Sequence, residues 1–170
     1  MKENFEKALA AVLKSEGGFV NNPKDPGGMT NLGVTIKTWE SFVGRNVTEK
    51  EMRNLTPEMV GKMYQQKYWN AVKADDLPEG VDYLAFDFAV NAGPGRAAKL
   101  LQQAVGVTAD GAIGPATLKA VAAMQPADLI EKYSEAKEAF YRSLPTFETF
   151  GKGWLRRVAE VKTISEGMIG

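Results

Sequence analysis

The chain has 170 residues, 44% of them hydrophobic, with 21 basic and 21 acidic side chains and neither cysteine nor histidine. That length supports one good core or two small helical lobes around a cleft. The missing residue types exclude disulfides, Cys or His metal sites and every nucleophile that relies on a histidine base, which leaves carboxylate chemistry with no metal or cofactor.

Residues 1–85 hold 11 basic and 12 acidic side chains and the remainder 10 and 9, so no broad basic surface for nucleic acid is expected. From the N-terminus, Phe5, Ala8, Leu9, Val12 and Leu13 mark one face of an amphipathic helix. Glu3, Glu6 and Lys7 interrupt it, so it is neither the apolar core of a signal peptide nor a membrane span. The expectation is a monomer made in the cytoplasm, without stable membrane insertion.

Glu16 falls on the same apolar stripe and opens Glu16-Gly17-Gly18-Phe19. Burying a carboxylate costs several kcal/mol unless it is paired or protonated, and a protonated carboxyl is what a general acid requires. The glycines stop the helix and let a ligand approach the backbone; the plainer reading is a helix-ending glutamate beside an ordinary glycine cap. Asn21-Asn22-Pro23, Asp25-Pro26-Gly27-Gly28, Thr30-Asn31 and Gly33 follow, a polar, glycine-rich stretch with little to bury. Loops of that length and composition usually bind or catalyse. One short region thus offers an acid at Glu16, a second carboxylate at Asp25 and a hydroxyl at Thr30, and two carboxylates are the minimum for glycoside hydrolysis.

Helix signals dominate the rest, with at most a short hairpin within 18–35. Thr35 caps a segment ended by Gly44, Thr48-Glu49-Lys50-Glu51 is a capping box, and Thr56-Pro57 opens a helix carrying Val60, Met63, Tyr64 and Tyr68. Tyr64 and Tyr68 either stack on sugar rings or fill the core, and Trp69 reads as core. Asp75-Asp76-Leu77-Pro78-Glu79-Gly80 is the candidate boundary between lobes 1–78 and 79–170, packed as one compact unit. In the second lobe Asp87 and Asn91 form an i, i+4 polar pair that lines a cleft or secures the next turn. Helices are expected from Ala97 to Val105, from Pro115, from Pro126 to about Ser143 and from about Trp154, where Lys152, Arg156, Arg157 and Lys162 read as a solvated face.

The pattern Glu16-x-Gly18-Phe19, Asp25-x-Gly27-Gly28-x-Thr30-Asn31-x-Gly33 and Tyr64-x-x-x-Tyr68-Trp69 resembles the family 108 glycoside hydrolases, the phage and bacterial N-acetylmuramidases. Asp87-Phe88-x-x-Asn91-x-Gly93 and Gly106-Val107-x-x-Asp110-Gly111-x-x-Gly114-Pro115-x-Thr117 resemble the predicted peptidoglycan-binding region at that family's C-terminal end. The resemblance implies a mainly α, two-lobed, lysozyme-like fold acting on peptidoglycan glycan strands, with Glu16 as catalytic acid. By analogy with family 24 phage lysozymes it extends to Asp25 and Thr30. Tyr64, Tyr68 and Asn91 are the expected substrate-binding residues. The implied setting is a phage or prophage endolysin, reaching the wall through a holin or similar route. The alternatives are a lytic transglycosylase and a wall-binding or secretion-accessory protein without turnover. In physical terms the Asp110–Thr117 motif is a tight turn into a helix, hence scaffold first.

Overall fold

The computed structural model describes residues 2–21 and 28–169. These are mainly helical, as expected, and fall into two compact units, residues 6–66 and residues 1–5 with 67–170. The division falls at 66/67 and not at the Asp75–Gly80 turn. Trp69, Val72, Ala74 and Leu77 are buried, and the Trp69 ring meets Phe86 edge-on at 5.3 Å and Phe5 at 5.2 Å, all within the larger unit.

In the smaller unit, α1 (Phe5–Glu16) buries the predicted stripe through Ala8, Leu9 and Val12. A three-stranded antiparallel sheet follows, β1 (Val20–Asn21), β2 (Met29–Asn31) and β3 (Val34–Thr35), one strand more than the expected hairpin. Pairing of Asn31 with Val34 leaves a two-residue loop, Leu32-Gly33, with φ of +52° and +78°, the left-handed turn that matches strand twist. Asn31 Nδ2 donates to the Met52 carbonyl at 2.8 Å, which fastens the sheet to the short helical segment Glu49–Arg53.

The capping signals appear as read. Thr35 Oγ1 accepts from the Thr38 N–H at the start of α2 (Ile36–Val43), and Gly44 closes that helix at φ +78°. Thr48 caps α3 (Glu49–Arg53) and Thr56 caps α4 (Pro57–Tyr64), with Pro57 in its first turn. The capping box is engaged from both sides: Thr48 Oγ1 accepts from the Glu51 N–H at 3.2 Å, and the Glu51 carboxylate is held below its usual range by Arg45 at 2.7 Å and by the Thr48 N–H. Gln65–Trp69 continues as a π-helical turn.

The larger unit is built on α5 (Val81–Ala92), buried from Val81 through Ala89. Around it are α6 (Pro94–Val105), α7 (Pro115–Ala122), α8 (Pro126–Arg142) and α9 (Phe147–Gly167). The last helix starts at Phe147, seven residues before the expected Trp154. A Cβ on Gly151 would lie 2.6 Å from the Phe147 ring, so the glycine makes room for that ring one turn earlier on the same helix. Gln102, 1% exposed, donates to Asp110 Oδ1, the Ala112 carbonyl and Thr117 Oγ1 and accepts from the Gly111 N–H. One amide therefore holds the Asp110–Thr117 turn together from inside, in keeping with its reading as scaffold.

Candidate active site and ligand cleft

In the smaller unit Glu16 ends α1, half-buried and one turn beyond the buried Val12. Gly17 follows with φ +77°, and its carbonyl accepts from the Leu32 N–H at 3.2 Å. The Leu32 carbonyl in turn accepts from the Tyr64 hydroxyl at 2.7 Å. A leucine at positive φ stores roughly 1–2 kcal/mol of backbone strain, and here hydrogen bonds on both sides of the residue retain it. Beside it, a Cβ built on Gly33 would lie 2.6 Å from the Tyr64 hydroxyl and 2.9 Å from Glu16 Cγ. Only a glycine lets the turn lie this close to the Glu16 stem, so Glu16, Leu32, Gly33 and Tyr64 form one packed group.

Tyr64 is thereby corrected from a sugar platform to a buttress. Its side chain is 1% exposed, which leaves no ring face for a ligand, and its hydroxyl holds the turn. Thr30 lies half-buried in β2, paired with Val20 and Thr35. Successive strand residues point to opposite faces, so Thr30 faces away from the side on which Asn31 binds α3. Asp25 lies outside the described residues. Tyr68 and Asn91 belong to the larger unit; Tyr68 is half-buried with the Lys67 ammonium 5.8 Å from its ring centroid.

Asn91 lines a cleft of about 510 Å³ in the larger unit, with Arg96, Arg157, Phe140, Tyr141 and Trp154. Beneath it Asp87, fully buried, accepts from Arg157 Nη2 at 2.7 Å and from Asn91 Nδ2 at 3.2 Å. The Lys137 ammonium, 1% exposed, lies 3.9 Å from the same carboxylate and 5.5 Å from the Phe88 ring centroid. Its Nζ has no hydrogen-bond partner among the described residues. Burial pushes Lys137 down to about 8; Asp87 opposes that and Arg157 adds to it. Burial, reinforced by Asp87, also raises the Tyr133 and Tyr141 hydroxyls above the ordinary tyrosine range. The Asp87–Asn91 spacing was legible, but its cationic partners were not. Lys137 falls seven residues after Ile130 on the inward stripe of α8, a signal of the kind that singled out Glu16. Arg157 was read as solvated and is instead bound to a buried acid.

A lysozyme-like helical fold, with a carboxylate held at a helix end against a small sheet, defines the class as a glycoside hydrolase directed at peptidoglycan. Residues 9–93 match the family model described as glycosyl hydrolase 108, and residues 96–159 match a predicted peptidoglycan domain. A similar solved structure is that of SagA from Brucella abortus, 45% identical, covering 99% of this chain and 97% of its own with a TM-score of 0.87. The chain belongs to the glycosyl hydrolase 108 family. No match was found among curated proteins.

Proposed function

We propose that this protein is an N-acetylmuramidase that hydrolyses the β-1,4 bond between N-acetylmuramic acid and N-acetylglucosamine, with Glu16 as proton donor to the leaving oxygen. The observation that carries this reading is the seating of Glu16, whose stem rests on Gly33 while the strained turn beneath is held by Gly17 and Tyr64. An acid catalyst must present a neutral carboxyl to the leaving oxygen, and this reading assigns that role to Glu16. Proton transfer leaves an oxocarbenium-like sugar. Asp25 supplies the second carboxylate, stabilising that charge or activating water, and Thr30 orients the water. Tyr68 offers its accessible face to a sugar ring, and Asn91 contributes to substrate binding in the larger unit. The cellular setting proposed is lysis of a bacterial host by a phage or prophage endolysin; among the described residues no helix is long and apolar enough to cross a membrane.

The test is digestion of purified peptidoglycan by wild type and Glu16→Gln, with mass spectrometry of the released fragments. Reducing N-acetylmuramic acid ends from wild type only are expected, with the variant as stable as wild type or more so. Anhydro ends would make the enzyme a lytic transglycosylase. No release from folded wild type would leave a wall-binding or accessory protein.

A further inference from the structure

We propose that the cleft of the larger unit binds the stem peptide of peptidoglycan, with Arg96 and Arg157 taking its carboxylates and the Tyr141–Trp154 pair covering its apolar side. The inference deepens the reading above and rests on peptidoglycan being the polymer recognised.

The volume, about 510 Å³, is that of a ligand pocket and not of a packing fault. Its polar lining among the described residues is Asn91, Arg96, Arg157 and the Tyr141 hydroxyl, with no aspartate or glutamate. The one acid beneath, Asp87, already faces two cations, Arg157 and Lys137, so this corner is positive before Arg96 is added. Asp87 also fixes the Arg157 guanidinium at 2.7 Å, which sets a planar fork of donors in place before any ligand arrives. Arg96 is similarly laid over the Phe140 ring, 4.6 Å from its centroid. On the other wall Tyr141 and Trp154 stack at 5.2 Å, and Phe150, 53% exposed, extends the surface at 5.7 Å from Trp154.

Charge decides between the two halves of peptidoglycan. The sugars are neutral once their lactyl groups are amidated by peptide, whereas each stem peptide carries several carboxylates beside small apolar side chains. Paired arginines facing no lining acid suit a carboxylate and give nothing particular to a neutral N-acetyl sugar.

Nuclear magnetic resonance titration of the full chain tests this, with the Trp154 indole signal as reporter. The probes are the tetrapeptide L-Ala–γ-D-Glu–diaminopimelate–D-Ala, the disaccharide carrying that peptide, and the same disaccharide without peptide, its lactyl carboxyl capped as the methylamide so that it stays neutral. The expected result is that both peptide-bearing probes shift Trp154 at similar concentration, that the bare disaccharide does not, and that Arg96→Gln weakens binding at least tenfold. Arg96 is exposed, so that variant keeps its fold, and Arg157→Lys repeats the test on the second cation. Equal binding of the bare disaccharide, or affinity untouched by Arg96→Gln, would overturn the proposal in favour of a sugar platform. Silence of Trp154 towards all three probes would overturn it outright. Chain cutting is measured separately on intact peptidoglycan, where absence of cutting speaks against the muramidase reading and leaves the peptide titration intact.

Discussion

Gly33→Ala isolates what holds the candidate acid in place. The added methyl would sit 2.6 Å from the Tyr64 hydroxyl and 2.9 Å from Glu16 Cγ, and something must retreat to an ordinary contact of about 3.4 Å or more. Tyr64 is buried in α4, so the retreat falls on Glu16 or on the turn. A displacement on the order of 1 Å at a catalytic group costs about 100-fold in rate. Alanine at φ +78° adds roughly 1 kcal/mol of backbone strain and the overpacking about 1–3 kcal/mol. For a chain of this size each kcal/mol lowers Tm by about 2–4 °C. Gly44→Ala is the matched control, since Gly44 has the same φ of +78° and nothing within 4 Å of a built Cβ. It should lose about 1 kcal/mol and keep its kcat. The assay pairs thermal unfolding with initial rates of peptidoglycan digestion for the two variants. If Gly33→Ala digests at the wild-type rate, or falls no further than Gly44→Ala, the turn does not position the acid and the argument from packing fails.

Tyr64→Phe should cost about 1 kcal/mol by leaving the Leu32 carbonyl without its donor, and should lower kcat while KM stays put, read from saturation kinetics on solubilised glycan. Asp87→Asn should destabilise the fold by about 3–5 kcal/mol in urea unfolding, because Lys137 and Arg157 lose their counter-charge. Lys137 itself is held down to about 8 against an ordinary 10.5, so its contribution to stability is complete above 10.5 and is lost as pH falls through 8. Urea unfolding should therefore show wild type gaining about 2 kcal/mol of stability relative to Lys137→Met between pH 8 and 10. Above pH 10 the buried tyrosines, whose folded values are raised, lower the stability of both proteins. Gln102→Ala should lower Tm by about 5–10 °C, as the donors and acceptors of the Asp110–Thr117 turn lose their common partner.

Features whose physics is local were legible in the chain. Thr35, Thr48 and Thr56 cap the helices they precede, Gly44 and Gly106 end theirs in left-handed geometry, and the apolar stripe of α1 leads to Glu16 as periodicity requires. Features that depend on distant partners were hidden. Asp87 meets Lys137 and Arg157 from 50 and 70 positions away, and nothing around Asp87 names them. The division of the chain follows the aromatic cluster of Phe5, Trp69 and Phe86, whereas the polar turn at Asp75–Gly80 carries every compositional sign of a linker. Tyr64 shows the limit from the other side. An aromatic residue near an active loop suits a platform and a buttress equally, and only its burial separates them.

Residues 2–5 belong to the larger unit, where Asn4 Nδ2 donates to Asp82 Oδ1 at 2.9 Å and approaches Met168 Sδ at 3.6 Å. The smaller unit is thus a continuous insertion within a discontinuous one. During synthesis residues 6–66 can assemble as a unit once the sixty-sixth residue has left the ribosome, while the first residues made must wait for almost the last. The segment carrying the candidate acid can be assembled before the unit matched by the peptidoglycan domain exists, so a nascent chain stalled just far enough on for residue 66 to clear the exit tunnel should already resist proteolysis over 6–21 and 28–66 and not at its N-terminus.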